Sequence, residues 1–196
     1  MLPVATGRRI LDIGCGSGVP SLELARLGGG IVVCIDTDQR LLDRLSRRAR
    51  ERGLVDRIEI LNQSMFGLDF PDDEFDIIWA EGSIAAIGFQ KGLTTWRRFL
   101  KSRGFLVVHD DADSTSEKLA LPAACGYRLI DHFTLDENVW WHEYYRLLEK
   151  LVRRFRAERR DNPEAEEISK ADLRQIEMYK QNPSRFRSVF IIMQKS

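Results

Sequence analysis

Three glycines two residues apart, Gly14, Gly16 and Gly18, end the run Ile-Leu-Asp-Ile-Gly-Cys-Gly-Ser-Gly over residues 10–18. So little side chain lets a backbone turn approach a ligand that a Cβ would hold off. The helix expected next aims its positive N-terminus at the same place. The spacing is not the dinucleotide one, which needs its third glycine one residue later, where Val19 stands. Asp12 lies two residues before the first glycine, where a carboxylate repels pyrophosphate and attracts a cation. Asp36 closes a second apolar run, Cys34-Ile35-Asp36-Thr37-Asp38. An acid there can accept both hydroxyls of a ribose. It can also cap the following helix, a task for which Asp38 is the better placed. Glu81 and His109 end two later runs, and a carboxylate or an imidazole can take a proton from a reacting group. Both also read as ordinary strand-end or helix-cap residues.

These positions need strands to carry them. Apolar runs predict strands over residues 9–13, 31–36, 57–62, 75–80 and 104–109. Helix-period apolar residues predict helices over 20–27, 39–52 and 90–102 between them. Alternating strands and helices imply βαβ units and a parallel sheet covered on both faces. A helix over 114–125, a strand over 127–135, a long helix over 140–160, a second over 163–181 and a strand over 187–194 complete the reading. Asn162-Pro163 is the break between the two long helices.

The nine-residue run, with Asp12 and the apolar strand before it, resembles the first motif of class I methyltransferases that use S-adenosylmethionine (SAM). SAM carries a sulfonium, an amino-acid tail and an adenosine, and no phosphate. The stretch Trp79-Ala80-Glu81-Gly82-Ser83-Ile84 through Ile87-Gly88-Phe89, then Gly92 and Trp96, narrows this to small-molecule methyltransferases. They are related to the ubiquinone- and menaquinone-biosynthesis enzymes. Leu135-Asp136-Glu137-Asn138-Val139-Trp140 and the aromatic residues after it fit the same group. The resemblance implies a three-layer, Rossmann-like α/β fold with seven strands, mostly parallel. The last strand is antiparallel, and a helical insertion over about 140–182 precedes it, all in one domain over 1–196. It implies SAM as cofactor and S-adenosylhomocysteine as product. The cofactor would be held by Asp12, Ile13, Gly14, Cys15, Gly16, Gly18, Asp36, Thr37, Ser64, Met65, Ala80 and Glu81. Ser64 stands where the family often has an acid for the adenine edge. Related enzymes usually carry helices before the first strand, as a lid. Here the C-terminal helices or a partner subunit would close the pocket, or the chain is a truncated piece.

Trp140, His142, Tyr144 and Tyr145 could wall an apolar substrate, stack a planar one or shield a sulfonium. Plain core packing explains them equally. Glu81 and His109 are the candidate bases. Asp110, Asp111 and Asp113 could hold Mg²⁺, but helix capping accounts for them and no metal is expected. The basic run Arg153-Arg154-Phe155-Arg156 with Arg159-Arg160 reads as a solvated helix face. An NAD-dependent oxidoreductase, opposed by Asp12 and Val19, and a catalytically idle SAM-binding module are the alternatives.

The 196 residues hold 30 Lys plus Arg and 30 Asp plus Glu, and zero net charge opposes nucleic acid as the main partner. No Asn/Asp-Pro-Pro-Tyr signature of amino-directed methyltransferases follows the fourth strand. A small molecule is the expected substrate, with a homodimer left open. The three cysteines form no CxxC pair, and Cys15 and Cys34 read as core. No signal peptide is read at residues 1–7, and no apolar run nears the ~20 residues that span a bilayer. A cytoplasmic location follows as the expectation.

Overall fold

The glycine turn sits where a parallel strand runs into a helix, at the carboxyl edge of a seven-stranded sheet. The computed structural model describes residues 7–159 and 163–196, without the side chains of 163–165. Arg160 and Asn162, named above, lie outside the described residues. In chain order the first half reads β1 (Arg9–Ile13), α1 (Val19–Gly28), β2 (Ile31–Asp36), α2 (Gln39–Glu51), β3 (Ile58–Asn62) and β4 (Phe75–Glu81). Then come α3 (Ile84–Ile87), α4 (Phe89–Trp96), β5 (Leu100–Asp111), α5 (Thr115–Ala124) and β6 (Tyr127–Leu135). The last elements are α6 (Glu137–Trp140), a π-helical turn (Trp141–Tyr145), α7 (Arg146–Glu158), α8 (Pro163–Gln181) and β7 (Ser188–Lys195).

The strand order is β3-β2-β1-β4-β5-β7-β6, with β7 inserted antiparallel between β5 and β6. The order reverses beside β1, so the connections leaving the paired strands β1 and β4 part at their carboxyl ends and open a crevice, the usual ligand site of such sheets. Both parities of the central strands are buried. Ile10, Val32, Cys34 and Ile77 lie on one face, and Leu11, Ile13, Val33, Ile35 and Ile78 on the other. A strand buried on both faces needs a continuous apolar run, which the sequence supplies. Leu22 and Ala25 of α1 and Leu42, Leu45 and Ala49 of α2 pack on the Ile10–Cys34 face.

Two expectations are corrected. The helix read over 90–102 ends at Trp96, and after a 3₁₀ turn (Arg97–Phe99) the chain is already strand at Leu100. Strand β5 therefore has twelve residues. The register against β4 slips between Phe75 and Ile77, and Arg103 takes φ +59° just before Gly104. That irregularity broke the alternation that marks a strand. The long helix read over 140–160 is likewise three pieces, with the π turn between α6 and α7.

The residues fall into two compact units. One holds residues up to 110, then 114–132 and 190–196, and so most of the sheet. The other holds 111–113 and 133–189, mostly helical. Its core is Tyr145, Ile176 and Tyr179, with Trp140, Trp141, Leu148 and Phe186 packed around them. Among the described residues no helix is long and apolar enough to cross a membrane.

Candidate functional site

Register puts the chemistry-bearing side chains on one face. Asp12 lies beside Cys34 of β2 and Trp79 of β4, and Glu81 beside His109 of β5. Neighbours in register share a face, and a strand's side chains alternate. Asp12, Asp36, Trp79, Glu81 and His109 therefore all point to the side that α1 and α2 cover.

The glycine turn is held from below. The Gly14 and Cys15 N–H groups donate to the Ile35 carbonyl at 2.9 and 3.0 Å. The Gly16 N–H donates to Asp36 Oδ2 at 2.9 Å, and the Asp38 N–H to Asp36 Oδ1 at 2.9 Å. The Gly18 N–H donates to the Cys15 carbonyl. These four amides are committed within the protein rather than turned towards a ligand, which further disfavours a phosphate. Asp36 thus shapes the turn as well as ending β2. A carboxylate offers about four lone-pair positions, so two remain for incoming hydroxyls. Asp38 caps α2, as expected, by accepting the Arg40 N–H.

Close packing explains two of the glycines. A Cβ on Gly14 (φ +73°) would stand 2.6 Å from Ser83 Cβ, and one on Gly18 (φ +75°) would strike Leu45. A Cβ on Gly16 meets nothing within 4 Å. Ser83, which sequence reasoning missed, is buried and donates its hydroxyl to the Ile13 carbonyl at 2.6 Å, tying the end of β4 to that of β1. Its only signal was its place two residues after Glu81.

Asp12 is 1% exposed and accepts the Ser21 hydroxyl of α1 at 2.5 Å. Burial pushes its carboxyl up to about 7. The Ser21 bond opposes this, and the charges of Glu81 and Asp36 add to it. Ile13, Cys15 and Ala80 are buried too. Hydrogen bonding with Cys34, then burial, raises the Cys15 thiol, which marks an inert core residue.

Above the turn lies a cleft of about 210 Å³. Gly14, Asp36, Thr37, Ser64 and Met65 line it, as expected, together with Ala86 and with Ile35, Gln63 and Phe66, of which the last three were not foreseen. Ser64 accepts the Phe66 N–H at 3.3 Å and so caps the 3₁₀ turn Met65–Gly67. The Met65 methyl reaches over Gly14.

Glu81, about a third exposed, emerges at the same edge. The Trp79 indole N–H donates to its Oε2 at 3.2 Å, and His109 Nδ1 lies 3.7 Å from Oε1. His109 is buried and its ring stacks on Phe190 at 4.3 Å. Burial lowers its proton affinity, against the charges of Glu81 and Asp110, so it is neutral at pH 7. Asp110 pairs with Lys118 at 2.8 Å, and Asp111 accepts the Asp113 N–H. Among the described residues no cluster of acids, histidines or cysteines is placed to hold a metal.

In the helical unit Tyr145 stacks on Tyr179 at 4.7 Å, and the Trp140 indole N–H donates to Ser188 Oγ at 3.3 Å. His142 and Tyr144 are exposed. Arg153 and Arg154 pair with Glu149 and Glu158 along α7, as a solvated helix face does.

Residues 10–104 match the family model described as a methyltransferase domain. This stretch resembles a methyltransferase domain. The resemblance to class I SAM-dependent methyltransferases of small-molecule type stands. The chain is 34% identical over 84 residues to a 27-O-demethylrifamycin SV methyltransferase of Amycolatopsis mediterranei, covering 43% of this chain and 31% of that one. The chain thus spans about a third of that relative's length. A SAM-dependent methyltransferase of Geobacter sulfurreducens, solved with S-adenosylhomocysteine, superposes with TM-score 0.79 at 21% identity, covering 100% of this chain and 87% of that one. The [4+2]-cyclase SpnF superposes with TM-score 0.76 at 20% identity, covering 98% and 76%. The chain thus has a fold that also hosts a cyclase.

Proposed function

We propose that the methyltransferase domain transfers a methyl group from SAM to a small-molecule acceptor and releases S-adenosylhomocysteine. The observation that carries this reading is the acidic, phosphate-averse edge: Asp12, Asp36 and Glu81 converge on a glycine turn whose amides the protein itself uses. That edge suits a cationic adenosine cofactor and repels a pyrophosphate. The relative named for 27-O-demethylrifamycin SV supports a small-molecule acceptor.

Bound SAM supplies a sulfonium methyl that a nucleophile takes by in-line displacement. The chain's residues position and shield it. Asp36 accepts the ribose hydroxyls on its remaining lone pairs, with Thr37 beside it. Ser64, Met65 and Phe66 border the adenine, the Ser64 hydroxyl keeping its proton to donate. Ile13, Cys15, Gly18 and Ala80 hold the shape beneath. The cleft lies below the ~300–1,000 Å³ of a usual ligand pocket, so it takes only the nucleoside part. Where the acceptor is protonated, the Glu81 carboxylate removes that proton and becomes a neutral acid, with neutral His109 3.7 Å behind it.

Calorimetric titration with SAM and with NAD tests the cofactor: SAM should bind and NAD should not, and the reverse sinks the reading. Gly16→Arg should abolish SAM binding by filling the turn. The cyclase neighbour favours one second reading, the same fold at work without methyl transfer. Incubation of a metabolite extract with methyl-labelled SAM separates the two, since only a transferase labels an acceptor.

A further inference from the structure

We propose that Asp12 selects the charged methyl donor over its neutral product, without touching either, through the carboxylate cluster under the glycine turn. The proposal rests on the reading of SAM as donor. It begins with a misfit. A buried carboxylate is normally surrounded by donors or cations. Asp12 is 1% exposed and has the Ser21 hydroxyl at 2.5 Å. The groups that face it are Ser21 from α1, Asp36 and Cys34 from β2, Glu81 from β4 and Cys15 from the turn. None of these is a cation, and two are acids. β1, β2 and β4 thus bring three carboxylates to one edge, and the one titratable nitrogen near them, His109 of β5 beside Glu81, is kept from its charged form by burial. A positive ligand relieves this arrangement, and a neutral one does not.

SAM and S-adenosylhomocysteine share the adenosine, the α-amino group and the carboxylate. They differ by the methyl and its positive charge. The sulfonium also makes the α-amino group of SAM the more acidic of the two, so the part of the pH-dependent affinity ratio that Asp12→Asn removes is the part that reports Asp12. Burial beside other acids sets Asp12 to titrate near pH 7. Ionised Asp12 attracts the sulfonium, and protonated Asp12 does not. Product release is eased by the same device: when the methyl leaves, the charge that Asp12 favoured leaves with it.

The test is calorimetry of SAM and of S-adenosylhomocysteine with the full chain, from pH ~5.5 to ~8.5. The preference for SAM should rise roughly tenfold over that range, the effect of one charge at ~10 Å in an effective dielectric of ~20. In buffers of different ionisation enthalpy at pH 7, SAM should expel more proton than S-adenosylhomocysteine does. Asp12→Asn keeps an acceptor for Ser21 and should flatten the ratio. Ser21→Ala removes the bond that favours the ionised form and should move the midpoint to higher pH, a shift that a purely structural contact would not produce. Both ligands binding with a pH-independent ratio in the wild type, or a slope that survives Asp12→Asn, overturns the proposal and leaves the methyltransferase reading intact. Should Asp12→Asn not fold, the midpoint shift in Ser21→Ala decides. Failure of both ligands to bind overturns the donor assignment and this inference with it.

Discussion

Gly16 and Gly18 look alike in sequence and differ in space, which gives a sharp comparison. Both hold positive φ, +53° and +75°, where an L side chain costs about 1–2 kcal/mol. For Gly16→Ala that is the whole effect, because the new Cβ meets nothing within 4 Å. In Gly18→Ala the Cβ would collide with Leu45 Cδ1 and stand 2.9 Å from its Cγ. Leu45 is fully buried between α2 and the sheet, so it cannot swing into solvent. Overpacking of that kind adds about 1–3 kcal/mol. Gly18→Ala should therefore lose about 2–5 kcal/mol of stability, against about 1–2 for Gly16→Ala. Urea unfolding followed by tryptophan fluorescence reads the difference, with equal slopes required for the comparison. Equal losses at the two positions would refute the claim that α2 packing, and not backbone conformation alone, fixes the third glycine.

The other predictions concern the site. Asp36→Ala removes the acceptor of the Gly16 and Asp38 N–H groups; cofactor affinity measured by calorimetry should fall at least about tenfold, since hydrogen bonds to a charged group contribute ~1.5–3 kcal/mol each, and unchanged affinity contradicts the role. Asp12 titrates higher folded than unfolded, so its contribution to stability is complete below about pH 4 and is lost as pH rises through about 7. Asp12→Asn should accordingly raise Tm at pH 8 more than at pH 5, and the opposite order would show that the carboxylate is not strained. His109 titrates lower folded than unfolded, so its contribution is present above about pH 6.5 and is lost on acidification; His109→Gln should weaken the fall in Tm between pH 6.5 and 5, and an unaltered fall would place the acid sensitivity elsewhere. Ser83→Ala leaves the Ile13 carbonyl without its 2.6 Å donor and should cost about 1–2 kcal/mol in chemical denaturation, while a neutral result would mean that Gly14 alone sets the β1–β4 junction.

The strands, the helices between them and the edge that gathers the acids were legible in the sequence, because each rests on a local signal. An apolar run of five or six residues ending in glycine or an acid says strand and strand end. Leu42, Leu45 and Ala49 at helical spacing say which side of α2 is buried. Strand β5 was read short because the slip opposite Phe75 and the turn at Arg103 interrupt the alternation. Ser83 was passed over because a serine after a strand has many uses. Only the Gly14 backbone above it gives this one a reason.

By itself the sequence determined the positions that can do chemistry: Asp12, Asp36, Glu81 and His109, each at a strand end, with a glycine spacing that refuses a dinucleotide. It could not say that these side chains share a face, because face is set by register between strands far apart in the chain. Tertiary structure decided that, and it decided what each group faces. Asp36 is spent partly on the turn, the turn's amides on Ile35 and Asp36, and Asp12 lies buried beside other acids. Residue types can be read along the chain, but the charge a group feels is summed over neighbours that only the folded sheet brings within reach.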